Sequence, residues 1–552
     1  MPANPLLLPD GETSFEGLRR MGKIYVDKSD LVAKLTFEEG FAKRPIFLSR
    51  PRRFGKSLLC STFRSLFEHG VRDFKDLKLE HSYQALPQEL KDAITASKVI
   101  YLDFSTINKQ SIDLFEQSFC MTLKRQFKAQ FGIEVAEYVD AADLFVAAID
   151  KCSERSVVLL IDEYDAPLTH RLKDQESFKP VLGKLETFYQ GVKSLNSKLL
   201  FTFITGVVRF SHVGLFSGVN HANDITLEGD YATLLGYTKE EIVSCFRPFL
   251  EQASLMLQCT TDDVLEELAR NYDGYRMSAD SEQTVFAPWS VLNFLIYPKH
   301  GFRNYWYGSG GQSTLLDQFF QHRLERMSAP DDFDHLAVVS EDKLSGKTDL
   351  LDSKISAIAP EILLTQAGYL TIKEVRPGGK IILGTPNQEV RNSLARLYTE
   401  ERYRKGRSKE QLEDLDLIGN YFAEQDLQGI TRVFDIYLSG WSYDADDLHK
   451  EASFRDLIYL GLISAGLQTG REVIAGDSRS DLEVILPETR TRYVFEFKTT
   501  ATEAEIENKV AEARKQLQES RYGELPPVSY SLKRLYAVID LTSRRVVSLG
   551  EC

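Results

Sequence analysis

Pro45-Ile46-Phe47-Leu48-Ser49-Arg50-Pro51-Arg52-Arg53-Phe54-Gly55-Lys56-Ser57-Leu58-Leu59 runs from an apolar strand through a tight polar loop into a helix start. That succession is the layout of a phosphate cradle. Backbone N–H groups at the helix N-terminus face the phosphates, the Lys56 ammonium neutralises their charge, and the Ser57 hydroxyl holds Mg²⁺. The candidate contacts are Arg53, Phe54, Gly55, Lys56, Ser57 and Leu58. Leu59, Thr62, Phe63, Leu66 and Phe67 continue a stripe along one side of the helix and give the loop a rigid base. The pattern GxxxxGK[ST] departs at its first glycine, where this chain has Arg50.

A second stretch supports the first. Ser156-Val157-Val158-Leu159-Leu160-Ile161-Asp162-Glu163 is an apolar strand ending in two carboxylates. Beside a phosphate loop, Asp162 would complete the Mg²⁺ shell and Glu163 would orient or deprotonate the attacking water. Arg44 to Ser49, Val99 to Phe104, Val157 to Ile161 and Leu199 to Thr205 each read as a buried strand between helical patterns. The alternation predicts an α/β domain with a parallel sheet over residues 1–235.

From Gly236 the pattern turns helical, and Thr238 with Glu241 three residues on is a capping-box start. Glu361 to Gly368 reads as a helix, followed by Tyr369 to Val375, a Pro377-Gly378-Gly379 turn and Lys380 to Leu383. Helix plus hairpin predicts a winged-helix-like region within 236–400. Charged helical sequence from about Asn387 to Leu415 reads as the link to a last domain, 401–552.

That domain has a helix near Glu451, strands around Val484 and Phe495, and a helix from Glu503 to Ser520. A turn tip at Glu488-Thr489 between the two strands sets Asp481 opposite Glu496, with Lys498 on the same face and Phe495 and Phe497 toward the core. Two carboxylates and a lysine have the chemistry of metal-assisted phosphodiester hydrolysis, with Asp481 and Glu496 on Mg²⁺ and Lys498 steadying the nucleophilic water. A like-charge pair of this kind needs a cation or solvent.

The chain has 552 residues, 43% of them hydrophobic and 27% charged, which excludes fibrous and disordered classes. At about 150 residues per domain it holds three or four domains, or two large ones with an insertion. The net charge of −14 opposes overall adhesion to nucleic acid or anionic lipid, so any nucleic-acid contact is a local patch. The absence of a long apolar run and of a signal-peptide pattern predicts a cytoplasmic protein with no membrane partner. Cys60, Cys120, Cys152, Cys245, Cys259 and Cys552 form no CxxC pair, so neither a disulfide framework nor a zinc site is supported.

Arg50 to Ser57, together with Tyr25-Val26-Asp27-Lys28, Ile161 to Pro167, Thr205-Gly206-Val207, Phe216 to Asn220, Tyr272 to Tyr275 and Ala287 to Ser290, resembles the AAA-ATPase-like family of prokaryotic P-loop proteins. In that family Arg-Pro-Arg-Arg-Phe-Gly-Lys-Ser is the usual loop. The resemblance implies ATP as ligand, Thr205 as a sensor of the γ-phosphate, and Arg209 as a partner for phosphate charge in cis or across a homo-oligomer contact. A salt-bridged Arg209 stays open as the other reading, and Arg52 and Arg53 are open among phosphate, nucleic acid and a neighbouring carboxylate.

Glu451, Asp481, Glu496-x-Lys498 and Gln516 resemble, in order, the PD-(D/E)XK nuclease superfamily. Glu451 and Gln516 enter the candidate catalytic set on that likeness. Arg479 falls on an Arg of the related pattern, whose Gly is Ser478 here. The resemblance implies an ATPase and a Mg²⁺-dependent nuclease acting on nucleic acid, DNA in preference, in phage defence or a mobile element; the covalent linkage of the two modules is the ground for expecting the first to control the second. A signalling or scaffold NTPase with a non-cleaving terminal domain is the alternative.

Overall fold

The computed structural model describes residues 7–9, 11–39, 44–135, 140–171, 175–209, 222–306, 333–345, 359–399, 403–440, 451–475, 478–519 and 530–552. Apart from Phe333, the described residues through Asn387 pack as one compact unit, and those from Gln388 onward as a second.

In the first unit Ile46–Ser49 (β1), Lys98–Asp103 (β2), Val157–Asp162 (β3), Leu199–Gly206 (β4) and Asn223–Asp224 (β5) form one parallel sheet in the order β2-β3-β4-β1-β5. β3 and β4 are buried along their whole length, as parallel strands covered on both faces must be. The helix Lys56–His69 lies on this sheet. Its Phe63 and Phe67 meet the rings of Phe201 and Phe203 at 4.8–5.2 Å between centroids, which fixes the phosphate-type loop above the ends of β1, β3 and β4. β4 stands between β1 and β3, so the carboxylate strand is one place removed from the loop's own strand.

The helical extension starts at Thr238, whose capping box with Glu241 is complete in both directions. Glu241 also receives Lys28 Nζ at 2.8 Å, and that ammonium donates to Thr233 O at 2.6 Å, tying the Tyr25-to-Lys28 segment to the extension. Further on, the helix Pro360–Ala367 ends on Gly368 and leads into Thr371–Arg376 (β7) and Lys380–Gly384 (β8), a helix and hairpin at the expected place. A third strand, Ala337–Ser340 (β6), pairs with β8 on its other side and has no counterpart in the sequence reading. On the hairpin, Lys373 pairs with Asp334 at 3.2 Å and Arg376 with Glu374 at 3.0 Å.

The second unit carries a five-stranded mixed sheet of Gln468–Ala475 (β9), Ser478–Leu486 (β10), Thr491–Thr500 (β11), Ser531–Asp540 (β12) and Arg545–Glu551 (β13), ordered in sequence. β11 and β12 are parallel and joined through the helix Ile506–Glu519, while the other pairs are antiparallel. One face holds Tyr493, Phe495 and Phe497 against Phe422 and Phe434. On the other, Ala513 and Leu517 of the Ile506–Glu519 helix cover Val494, Tyr536 and Val538. The charged stretch read as a link instead contributes the helix Gln388–Thr399, whose Val390, Leu394 and Ala395 are buried within this unit against the helix Glu451–Ser464.

A buried cross-strand ion pair lies on the same sheet face as Val494. Arg492 donates through Nη2 to Glu483 Oε2 at 2.6 Å, and both side chains are over nine-tenths covered. Truncating one partner strands the other charge in a dry site, which typically costs about 3–5 kcal/mol. Arg492→Met is therefore expected to lower the unfolding free energy of the second unit by that amount in urea titration, with most of the loss recovered in Glu483→Leu/Arg492→Met; full stability in the single variant would refute the pairing.

Candidate functional sites

The loop of the first unit is built by backbone conformation. Arg53 (φ 66°) and Gly55 (φ 96°) take left-handed backbone, and Gly55 caps the helix Lys56–His69 without any side-chain acceptor. The first N–H groups of the helix are thereby left to a ligand or water. Lys56 is buried, and its ammonium donates to Arg50 O at 3.0 Å and Pro51 O at 2.9 Å, folded back on its own loop. Burial pushes its pKa down, opposed by Asp162, Glu163 and Asp165.

Arg50, at the position of the pattern's first glycine, faces away from the cradle. Its backbone N–H continues the β1–β4 pairing onto Gly206 O at 3.2 Å. Its buried guanidinium donates to the carbonyls of Ser49, Thr226 and Tyr231 at 3.0, 2.6 and 3.0 Å. Burial lowers its pKa to about 10.

Asp162 stands at the end of β3, hydrogen-bonded by the Ser57 hydroxyl and by Tyr101 Oη at 3.3 Å. Its own carboxylate accepts Glu163 N at 2.9 Å. Burial raises its pKa against the favourable effects of Ser57 and Lys56. Glu163 turns into left-handed backbone (φ 47°), the kind of strained position that accompanies functional sites. A cavity of about 500 Å³, the size class of a small-ligand site, takes in Arg53, Lys56, Ser57, Leu58 and Glu163. Phe54 and Gly55 line it too, and Trp289 closes one side with the Arg53 guanidinium 4.4 Å above its ring.

Two positions implied by resemblance are placed elsewhere. Thr205 is fully buried between strands, its hydroxyl donating to Leu48 O at 2.8 Å, and it does not line this cavity. Arg209 is also buried and ion-paired to Asp224, the salt-bridged of its two readings. Sequence reasoning passed over Tyr101 and Asp165. Asp165 accepts Val207 N and Val208 N at 3.2 and 2.8 Å, so the turn after β3 is locked to the end of β4. It lay within the quoted Ile161-to-Pro167 stretch, and its place on the turn after an apolar strand was the available signal.

In the second unit the hairpin register is the one read from the turn, with Leu482 opposite Phe495 and Glu483 opposite Val494. Asp481 follows as the next position, where its Oδ2 accepts Phe497 N at 2.8 Å in place of a further ladder bond. Glu496 is buried and Lys498 Nζ donates to its Oε1 at 2.6 Å. Burial raises the pKa of Asp481, opposed by the Phe497 N–H, Lys498 and Arg455. Arg455, absent from the sequence reading, approaches Asp481 Oδ1 at 3.8 Å and pairs with Glu472 and Asp456 at 3.0 and 3.2 Å. Its spacing of four from Glu451 on one helix was the missed signal. Gln516 is half-buried on the helix Ile506–Glu519 that covers this face. The side chains of Glu451 and Ser478, and residues Phe216 to Asn220, lie outside the described residues.

The donors at both places suit a hard divalent cation: a hydroxyl with a carboxylate at Ser57 and Asp162, and two carboxylates at Asp481 and Glu496. Among the described residues no three His, Cys, Asp or Glu side chains gather as a metal cluster. One or two carboxylates, with water completing the shell, is how Mg²⁺ is commonly held. The raised pKa values of Asp162 and Asp481 mark negative charge that burial penalises and a cation would relieve.

Two stretches of the chain match known families. Residues 9–216 match the family described as predicted AAA-ATPase, and residues 449–547 match the PD-(D/E)XK nuclease superfamily. The chain thus joins an AAA-ATPase-like domain to a C-terminal PD-(D/E)XK nuclease-superfamily domain. It is also 28% identical over 515 residues, 89% of each chain, to a protein of Azotobacter chroococcum mcd 1 described as an uncharacterized protein in the vnfD 5′ region. Among the described residues no helix is long and apolar enough to cross a membrane.

The role of Arg50 is directly testable. Arg50→Gly restores the consensus glycine but abandons three buried carbonyls, each costing about 1–3 kcal/mol. It is expected to destabilise the first unit by several kcal/mol in urea titration and to leave nucleotide affinity no better than in the parent. A stable protein with tighter nucleotide binding would overturn this account.

Proposed function

We propose that the chain binds and hydrolyses ATP in the first unit and cleaves phosphodiester bonds, in DNA by preference, with Mg²⁺ in the second. The observation that supports the nuclease reading most directly is the hairpin register that sets Asp481 beside the Glu496–Lys498 pair. A divalent cation on Asp481 and Glu496 would polarise the phosphate and acidify a water. Lys498 already holds Glu496 Oε1 in place and is positioned to steady that water, while the Phe497 N–H holds Asp481 in one orientation. In the first unit Lys56 exchanges its loop carbonyls for phosphate oxygens, and Glu163 orients the attacking water. Nucleotide control of the nuclease rests on the covalent linkage of the two units.

The scaffold reading has one observation in its favour: Lys498 and Arg455 already offset the charge of Glu496 and Asp481 without a metal. Plasmid nicking separates the two. With Mg²⁺ the parent is expected to nick, while Asp481→Ala and Lys498→Ala lose at least about a hundredfold in rate, the scale of general acid–base and electrostatic contributions. No nicking under any metal or nucleotide condition would sustain the scaffold. Nicking that ignores ATP, its analogues and Lys56→Ala would end the claim of control.

Metal binding at Asp481 carries a pH signature. The carboxyl must be ionised to ligate, and burial raises its pKa, so Mg²⁺ affinity is present above the raised value and lost as pH falls through it. Calorimetric titration of the Lys56→Ala protein should show weakening that begins above the ordinary carboxylate pKa of about 4. A flat affinity from about pH 8 to pH 5 would count against Asp481 as ligand.

A further inference from the structure

A second cavity in the first unit, about 60 Å³, lies behind the loop and takes in Ser49, Arg50, Pro51, Arg209, Arg276 and Gln366 among its walls. It exceeds the space one ordered water needs and is far smaller than a nucleotide site. Three polar atoms of its wall are buried with no hydrogen-bond partner: Arg50 Nε, Arg209 Nε and Gln366 Nε2. All three are donors. The side chains of Arg50 and Arg209 are each over nine-tenths covered. Gln366 is fixed in its donor orientation because its Oε1 accepts Arg209 N at 3.1 Å, and a flipped amide would set N–H against N–H.

The charge count points the same way. Among the described residues Arg50 and Arg209 share one carboxylate, Asp224, which is ion-paired to Arg209. Arg276 directs Nε to the carbonyls of Ser278 and Ser281 and Nη2 to that of Ala279. Among the described residues no Asp or Glu lines the cavity. Buried guanidinium groups outnumber their counter-charges, and unmet donors are costly in a dry site. Water would satisfy the donors without the charge; a small anion satisfies both.

We infer that this cavity is a binding site for a small oxyanion of the inorganic phosphate class, distinct from the nucleotide cavity and held by Arg50, Arg209 and Gln366. These three residues come from separate chain segments: the exit of β1, the residues following β4 and the helix Pro360–Ala367. The Arg50 and Pro51 backbone that borders it is the same backbone whose carbonyls hold Lys56. An anion here therefore stiffens the root of the phosphate loop.

The test is calorimetric and thermal titration of the full-length protein with inorganic phosphate, in Lys56→Ala to disable the loop itself and in Gln366→Glu. The glutamate keeps the acceptor for Arg209 N and supplies the missing negative charge. Phosphate binding is expected to persist in Lys56→Ala. In Gln366→Glu it is expected to weaken about tenfold or more, with a higher melting temperature than the parent in phosphate-free buffer. Binding abolished by Lys56→Ala yet unchanged in Gln366→Glu would assign the ion to the nucleotide loop and overturn the site. No binding to any variant would leave the cavity to water and overturn it equally.

Discussion

A charge taken out of water has to be compensated, and the first unit is organised around one such charge, the ammonium of Lys56. Its partners in the folded chain are two carbonyls of its own loop, with Asp162, Glu163 and Asp165 supplying the field that offsets burial. A carbonyl pair is a modest partner for an ammonium, whereas phosphate oxygens are strong ones. On the proposed function, the folded state holds Lys56 in an arrangement that a polyphosphate would improve upon. The rest of the unit serves this: Phe63 and Phe67 seat the helix, Asp165 clamps the turn after β3, and Tyr101 and Ser57 hold Asp162.

The second unit solves the mirror problem. There the charge at risk is negative, carried by Asp481 and Glu496, and the compensating groups are Lys498 and Arg455 with the Phe497 N–H. Glu496 is buried in the middle of a strand flanked on both sides, on the sheet face that Ala513 and Leu517 cover at Val494, Tyr536 and Val538. The nearby Glu483–Arg492 pair shows what a purely structural solution looks like on the same face: one acid, one guanidinium, both almost completely covered. Asp481 differs by keeping partial exposure and a longer, 3.8 Å approach to its arginine. That residual access is what the proposed metal ligand has and the Glu483–Arg492 pair lacks.

Much of this was legible in the sequence because the deciding features are local. Apolar runs marked β1 to β4, the capping box at Thr238 began its helix, and the tip of one hairpin fixed the register that brings Asp481 to Glu496. What was missed depends on long-range partners. β9, β12 and β13 carry mixed polar sequence and become strands because the sheet supplies neighbours, although Leu535 to Ile539 was an apolar run of strand length. The helix Gln388–Thr399 looked like a charged link because half of its buried residues, Glu389, Asn392, Ser393 and Thr399, are polar. Thr205 drew its assigned role from a motif, yet a hydroxyl one strand away from β1 finds Leu48 O first.

Arg50 shows why a residue pattern and a site are different things. A glycine-rich consensus records positions where a side chain would intrude on the phosphate, so an arginine at its first place looks disabling. The backbone there continues the β1–β4 pairing through Arg50 N, and extended backbone sends a side chain to one face only. At Arg50 that face is the one opposite the cradle, where three carbonyls await it. The groups proposed to meet a ligand are the backbone from Arg53 to Ser57 and the Lys56 side chain, which line a cavity that Arg50 does not line. The departure from consensus is thus an exchange: conformational freedom at the loop's root is given up for a rigid anchor, and the left-handed turn is supplied later, by Arg53 and Gly55.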